Sequence, residues 1–246
     1  MSKTVAKALS ALELVRGGSR SLSELADHLG THASTAMRLL QPVVDAGLLA
    51  RGADGRYRLG LRLVELGQDA METLDLRAAA HPYLVELAAQ TRCTIHLAQL
   101  LDDAIVYADK VEAPGGVRMW SRVGRQVPLH TAAASKAILA GLPPEQRVDL
   151  LRGWEFTPYT PRTVADVSEL ELQLSEVAEC GFARDDAEFE PLVHCIGVPL
   201  RIPGELAPAA ISATAVRERP SDAEVAELVE RLRATVTAIQ RELGKT

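Results

Sequence analysis

No stretch of the sequence approaches the ~18 consecutive apolar residues that a membrane-spanning helix needs. The opening Met1-Ser2-Lys3-Thr4 has no apolar run of the kind that starts a signal peptide. Cysteine is scarce: Cys93, Cys180 and Cys195 are odd in number and widely spaced, so no disulfide framework is expected and a reducing cytoplasm is the default. Aromatic residues make up only 4%, which leaves Leu, Val, Ala and Ile to fill the core. There is no Walker A motif, no G-x-G-x-x-G and no G-x-S-x-G. What remains is 246 residues, 47% hydrophobic and 24% charged. That is the mix of a folded globular protein of one large or two small domains, and it excludes a disordered tail, a collagen or a coiled-coil rod.

The net charge of -6 argues against nucleic-acid binding until its distribution is considered. Residues 1–60 hold 8 Lys/Arg against 5 Asp/Glu, whereas the other 186 hold 19 against 28. A mildly basic head on an acidic body fits a head that meets an anionic partner.

Within the head, residues 4–16 read as a helix, with Val5, Ala8, Leu9, Leu12 and Val15 on helical spacing and Gly17-Gly18 as a stop. Ser23 is the expected cap of a short helix from Glu24 to Leu29, ended by Gly30. A third helix is expected from about Ser34 to Asp45. At 100° per residue, Ala36, Leu39, Leu40 and Val43 gather on one side and Ser34, Arg38, Gln41 and Asp45 on the other, with Thr35 at the border. Two helices joined by a short Gly-containing turn, the second with such a face, describe a helix-turn-helix. Arg can bond guanine and Gln adenine in bidentate fashion, and Ser and Thr hydroxyls reach phosphate or bases. Pro42 has no N–H to give Arg38, and a bend or break near Gln41 is expected. After it, Asp54-Gly55 is a hairpin turn. The hairpin makes a wing whose Arg51, Arg56 and Arg58 would follow phosphates.

Residues 61–80 read as a helix joining the two domains, and Leu61, Val64 and Leu66 are candidates for a dimer seam. Pro82 suits the first turn of a new helix whose Leu84, Leu87 and Ala88 pack inward. Strands are expected at Cys93–Leu101, Ala104–Val111, Val117–Val123, Val193–Arg201 and Ala209–Val216. Helices are expected at Ala132–Ala140, after Pro143-Pro144, at Asp166–Cys180 (Asp166 and Glu169 as caps, Gly181 as stop), and from a Ser221/Glu224 capping box with Val225, Leu228, Leu232, Val236 and Ile239 on one face. The fold class is α+β.

Several chemical readings of the body fail on spacing. Ser135-Lys136 is not S-x-x-K, which needs Ser at 133, so a small-residue helix start packed on the sheet is favoured over catalysis. The acidic run Asp185–Glu190 lacks the Gly and Glu of a calcium loop. Cys93 with His96, and His194 with Cys195, match no standard zinc site, and neither a metal nor another cofactor is expected. Thr131 is a plausible N-cap, so the N–H groups of Ala133 and Ala134 would open in front of the sheet as an anion site.

Taken together, the chain resembles an IclR-type transcriptional regulator over nearly its whole length. At the head the resemblance rests on Val5–Leu14, Leu22–Ala26, Ser34–Leu40 and Gly55–Gly60. In the body it rests on Pro128-Leu129-His130, Ser135–Ala140, Thr160-Pro161-Arg162-Thr163 and, most specifically, Gly181–Glu190 running on to Cys195. It implies a winged helix-turn-helix over 1–60, a linker helix over 61–80, and a GAF-like domain over 81–246 for effector binding and oligomerisation. It also implies a homodimer, often paired into tetramers, that binds double-stranded operator DNA and responds to a small organic acid. The DNA-contacting residues would be Ser34, Thr35, Arg38, Gln41, Arg51, Arg56 and Arg58. The family pocket maps onto Met119, Val127, Ala133, Ala134, Asp185, Val193, Cys195, Ser212 and Thr214. Members often have Gly where this chain has Ala133 and Ser135, and Pro42 is not typical of the recognition helix. The mapped pocket holds no Lys or Arg. A carboxylate would then rest on the Ala133 and Ala134 N–H groups, with the Ser212 and Thr214 hydroxyls completing the ring beside Cys195. Met119, Val127 and Val193 would enclose the apolar part, and Asp185 would have to be protonated, offer its N–H or take a ligand hydroxyl. The alternatives are a small-molecule enzyme whose winged helix serves only for dimerisation, and a metal-sensing regulator.

Overall fold

The computed structural model describes residues 2–72, 75–113, 121–201, 208–216 and 219–244. The chain forms two compact units, 1–73 and 74–246. The first holds α1 (Lys3–Arg16), α2 (Leu22–His28), α3 (Ala33–Asp45), the hairpin β1 (Leu49–Arg51) and β2 (Tyr57–Leu59), and α4 (Arg62–Glu72). Ala11, Val15, Leu25, Leu29, Leu40, Leu49 and Tyr57 form its core.

The cap of α2 is Ser21, not Ser23. Only Ser21 stands three residues before Glu24, and each side chain bonds the other's backbone N–H, at 2.7 and 3.2 Å. The helix α3 runs unbroken through Pro42. The carbonyl that loses its partner is that of exposed Arg38, open to water, while Ala36 and Leu40 on the other side stay fully buried.

The second unit is an antiparallel sheet in the order β4-β3-β7-β6-β5 with helices on both faces. Its elements are α5 (Asp75–Thr91), β3 (Thr94–Leu101), β4 (Ala104–Val111), α6 (Ala133–Ala140), α7 (Pro144–Leu151), α8 (Val167–Cys180), β5 (Ala183–Asp186), β6 (Val193–Leu200), β7 (Ala209–Val216) and α9 (Asp222–Leu243). Ile95, Leu97, Ile196, Val198, Ile211 and Ala213 face α5 and α9. Ala98, Ala183 and Ala210 face α6 and α8.

Within the stretch expected to be a linker helix, residues 62–72 belong to α4 and residues 75–80 to α5, with residues 73–74 outside the described residues; Pro82 lies inside α5 rather than at a helix start. The apolar stripe Leu76, Ala80, Leu84, Leu87, Ala88 continues across it, and all five are buried. Three buried leucines at roughly 2 kcal/mol each outweigh the ~3 kcal/mol of an interior proline. Of the strand expected over Val117–Val123, residues 117–120 lie outside the described residues, and Ser121, Arg122 and Val123 are not strand. The expected caps at Asp166 and Ser221 are present, and Gly181 ends α8 at φ +76°.

Candidate functional site

Two surfaces carry the chemistry. On α3, Ser34, Thr35, Arg38 and Gln41 are exposed together, opposite buried Ala36 and Leu40. Among the described residues Arg38 has no ion-pair partner, whereas the Gln41 amide donates to Asp45 Oδ1 at 2.7 Å. On the hairpin, exposed Arg58 is likewise unpaired. Arg51 lies 5.7 Å over the Tyr57 ring and donates to the Gly55 carbonyl at 3.4 Å. Arg56 differs from the expectation. Its guanidinium donates to the Ser19 carbonyl at 2.9 Å and pairs with Glu24 at 3.1 Å, the same carboxylate that closes the α2 capping box. It ties the hairpin to α2 instead of standing free.

The second surface is a cavity in front of the sheet with about 500 Å³ of empty space, part of it open to solvent. Strand register builds its floor. Asp185, Cys195 and Thr214 are paired across β5, β6 and β7, and the next row on the same face is Ala183, Gly197, Ser212 and His96. Its wall is the start of α6. A Cβ on Gly197 would lie 2.5 Å from the Ala133 carbonyl oxygen and 3.0 Å from the Ala134 nitrogen, so only glycine lets the helix start sit on β6.

The N-cap of α6 is Ala132, not Thr131, and no side chain caps it. The Ser135 hydroxyl turns away and donates to the Pro128 carbonyl at 2.6 Å. Among the described residues the Ala133 and Ala134 N–H groups have no protein partner, and both residues line the cavity at the positive end of a helix dipole. Among the described residues no Lys or Arg lines the cavity.

A chain of hydrogen bonds crosses the floor. Ser121 Oγ is 2.7 Å from His96 Nε2, and His96 Nδ1 is 3.4 Å from Thr214 Oγ1. Thr214 donates to Cys195 Sγ at 3.3 Å, and the Cys195 thiol donates to Asp185 Oδ2 at 3.6 Å. Burial holds His96 neutral, its pKa lowered to about 3, and pushes the Cys195 thiol well up. One direction of donation, from Ser121 to Asp185, satisfies every member. Burial also raises Asp185 to about 6, against the Glu188 N–H that donates to its Oδ1 at 2.8 Å.

The mapped residues Ala133, Ala134, Asp185, Val193, Cys195, Ser212 and Thr214 all line this cavity. Val127 does not; it is fully buried in the core beside α6, and Met119 lies outside the described residues. Ser135 and Lys136 form no nucleophile–base pair. Lys136 is fully buried, and its ammonium donates to both Glu188 oxygens at 2.8 and 2.9 Å and to Gln173 at 2.8 Å. Cys93 packs into the core under α5 while His96 lines the cavity on the other face, so they share no site. Among the described residues no three His, Cys, Asp or Glu side chains converge as a metal site.

Residues 4–53 match the IclR helix-turn-helix domain, and residues 68–241 match the C-terminal domain of bacterial transcriptional regulators of the IclR type. The chain belongs to the IclR family. It is 33% identical to the HTH-type transcriptional regulator XynR of Escherichia coli (strain K12), over 98% of this chain and 97% of XynR. The E. coli regulator KdgR is also 33% identical, over 91% of this chain and 85% of KdgR. Among solved structures, Thermotoga maritima IclR superposes with a TM-score of 0.78 at 30% identity, covering 98% of both chains. An IclR homolog from Microbacterium hydrocarbonoxydans, complexed with 4-hydroxybenzoate, superposes with a TM-score of 0.82 at 27% identity, covering 99% of this chain and 100% of that one. As an IclR-family member the protein is a DNA-binding transcriptional regulator, not an enzyme. The cavity also uses His96, Tyr107, Ser121, Phe189 and Glu190, which the sequence reading did not place there.

Proposed function

We propose that this IclR-family regulator binds operator DNA as a homodimer in the cytoplasm and changes its hold on that DNA when a small organic carboxylate enters the cavity. The observation that carries the effector reading is the pair of N–H groups at Ala133 and Ala134, which among the described residues have no partner and open on hydroxyl-bearing walls with no cationic side chain. A helix start of this kind binds anions without help from Lys or Arg. The Microbacterium homolog, complexed with an aromatic hydroxy acid, supports an effector of that size and class. We assign base contacts to Ser34, Thr35, Arg38 and Gln41, phosphate contacts to Arg51 and Arg58, and a positioning role to Arg56. We assign the dimer seam to the exposed Leu61, just before α4, and to Val64 and Leu66 within it.

Gel-shift titration of the upstream DNA of its own gene tests the operator half. Arg38→Ala should cost about 1–3 kcal/mol on the preferred sequence and little on unrelated DNA, while Arg58→Ala should weaken all sequences alike and lower the salt slope by about 1. Equal loss on every sequence for Arg38→Ala would demote it to a phosphate contact.

The effector half carries a pH dependence. Ionised Asp185 repels a carboxylate, so binding takes up a proton at Asp185. Affinity for the acid should be steady below the Asp185 pKa of about 6 and fall up to about tenfold per unit above it. Calorimetry at pH 6 and pH 8 checks this, and equal affinities would mean that Asp185 is not beside the carboxylate.

A further inference from the structure

The exposed face of α3 holds one residue that neither the core nor the polar contacts assigned above explain. Ser34, Met37, Arg38 and Gln41 stand at i, i+3, i+4 and i+7, a single face of the helix. Met37 is its apolar centre and is 42% exposed. It has no place in the core of this unit, where Ala11, Leu25, Leu40 and Leu49 meet with Leu39 and Val43 packed around them. Its neighbour Arg38 is free to reach out, whereas the amide of Gln41, one turn on, is held by Asp45. In the major groove, base edges offer donors and acceptors and a single apolar feature of unmodified DNA, the C5-methyl of thymine. A flexible, polarizable thioether side chain suits a contact with it.

We propose that Met37 reads a thymine methyl group, next to the base read by Arg38, in each half-site of the operator. The inference rests on α3 being the DNA-reading helix and adds the identity of one base that it selects.

The test uses the full-length protein. Preferred duplexes are selected from a random pool, and each thymine of the consensus is then replaced by uracil, which removes the methyl and keeps the pairing edge and O4. Burying one methyl is worth about fourfold in affinity. The native protein should lose about three- to fivefold at one thymine per half-site, and about 10- to 20-fold when both are changed. Met37→Ala, an exposed substitution to the best helix former, should keep the fold by circular dichroism, bind thymine and uracil duplexes alike, and retain its sensitivity at the Arg38 base pair. Uracil tolerated at every thymine by the native protein, or a uracil penalty that persists in Met37→Ala, would overturn the assignment. Selection that enriches no sequence would instead overturn the operator reading, and the Met37 assignment with it.

Discussion

Lys136→Met should destabilise the protein by about 3–5 kcal/mol, read from the denaturant midpoint, because it removes one partner of a buried ion pair and leaves the other. The Lys136 ammonium is fully enclosed and spends its three donors on Glu188 and Gln173. Glu188 is buried as well, and burial raises its carboxyl to about 7 even against the pull of Lys136. Without that cation the carboxyl rises further. The folded variant then holds a proton that the unfolded chain gives up above about 4.5, the ordinary value. The loss relative to the native chain should be constant up to about pH 7, where both folded chains hold the proton, and grow above it, where only the native chain gives the proton up. Lys136→Met combined with Glu188→Met should recover much of the loss, since it leaves no charge unpaired. A variant as stable as the native protein at pH 8 would show that the pair contributes nothing. The pair matters beyond stability. Lys136 lies on the helix whose start faces the cavity, and Glu188 lies in the segment that brings Phe189 and Glu190 to its wall. Thr160 and Thr163 fasten the same segment by donating to the Ala187 and Glu188 carbonyls at 2.8 and 2.6 Å.

Ala133→Pro should blind the regulator to its effector while leaving operator binding intact. Ala133 is the first residue of α6, where proline is best tolerated, and Ala132 already has the extended backbone, φ -74° and ψ 131°, that a residue before proline adopts. The substitution removes one N–H and points the ring where that N–H faced the cavity. Losing a hydrogen bond to a charged group costs about 1.5–3 kcal/mol, or about 10- to 150-fold in affinity, before any steric exclusion by the ring. Effector titration by calorimetry, beside a gel shift without effector, reads both halves. Unchanged effector affinity would place the anion site elsewhere.

Which parts of this were legible in the sequence follows from what each residue type signals. The DNA-binding unit could be read in order because each helix has a polar face and a Gly stop, and because Asp54-Gly55 fixes the hairpin. Local competition set what could not be read. Ser21 and Ser23 flank Leu22 at the start of α2, and only the distance to Glu24 chooses between them. Arg56 looked like its neighbours Arg51 and Arg58 because its partner Glu24 is 32 residues away. In the second unit, β3 is buried on both faces, so polar and apolar residues do not alternate and His96 gave no sign of its direction. The strand β5 was missed because Arg184-Asp185-Asp186 reads as a charged loop; it is a four-residue sheet edge whose Asp185 turns inward and Arg184 outward. The family pattern, in contrast, points to Ala133, Ala134, Asp185, Cys195, Ser212 and Thr214; strand register brings the last four to one face of the sheet, and the start of α6 brings the first two to the same cavity.

The most direct measurement is a crystal structure of the protein with the acid that releases or tightens its hold on operator DNA. The carboxylate should lie within about 3 Å of the Ala133 and Ala134 nitrogens, with the rest of the molecule over Cys195, Ser212 and Thr214. An effector found outside this cavity, or one seated in it by a cationic group against Asp185 and Glu190, would contradict the account.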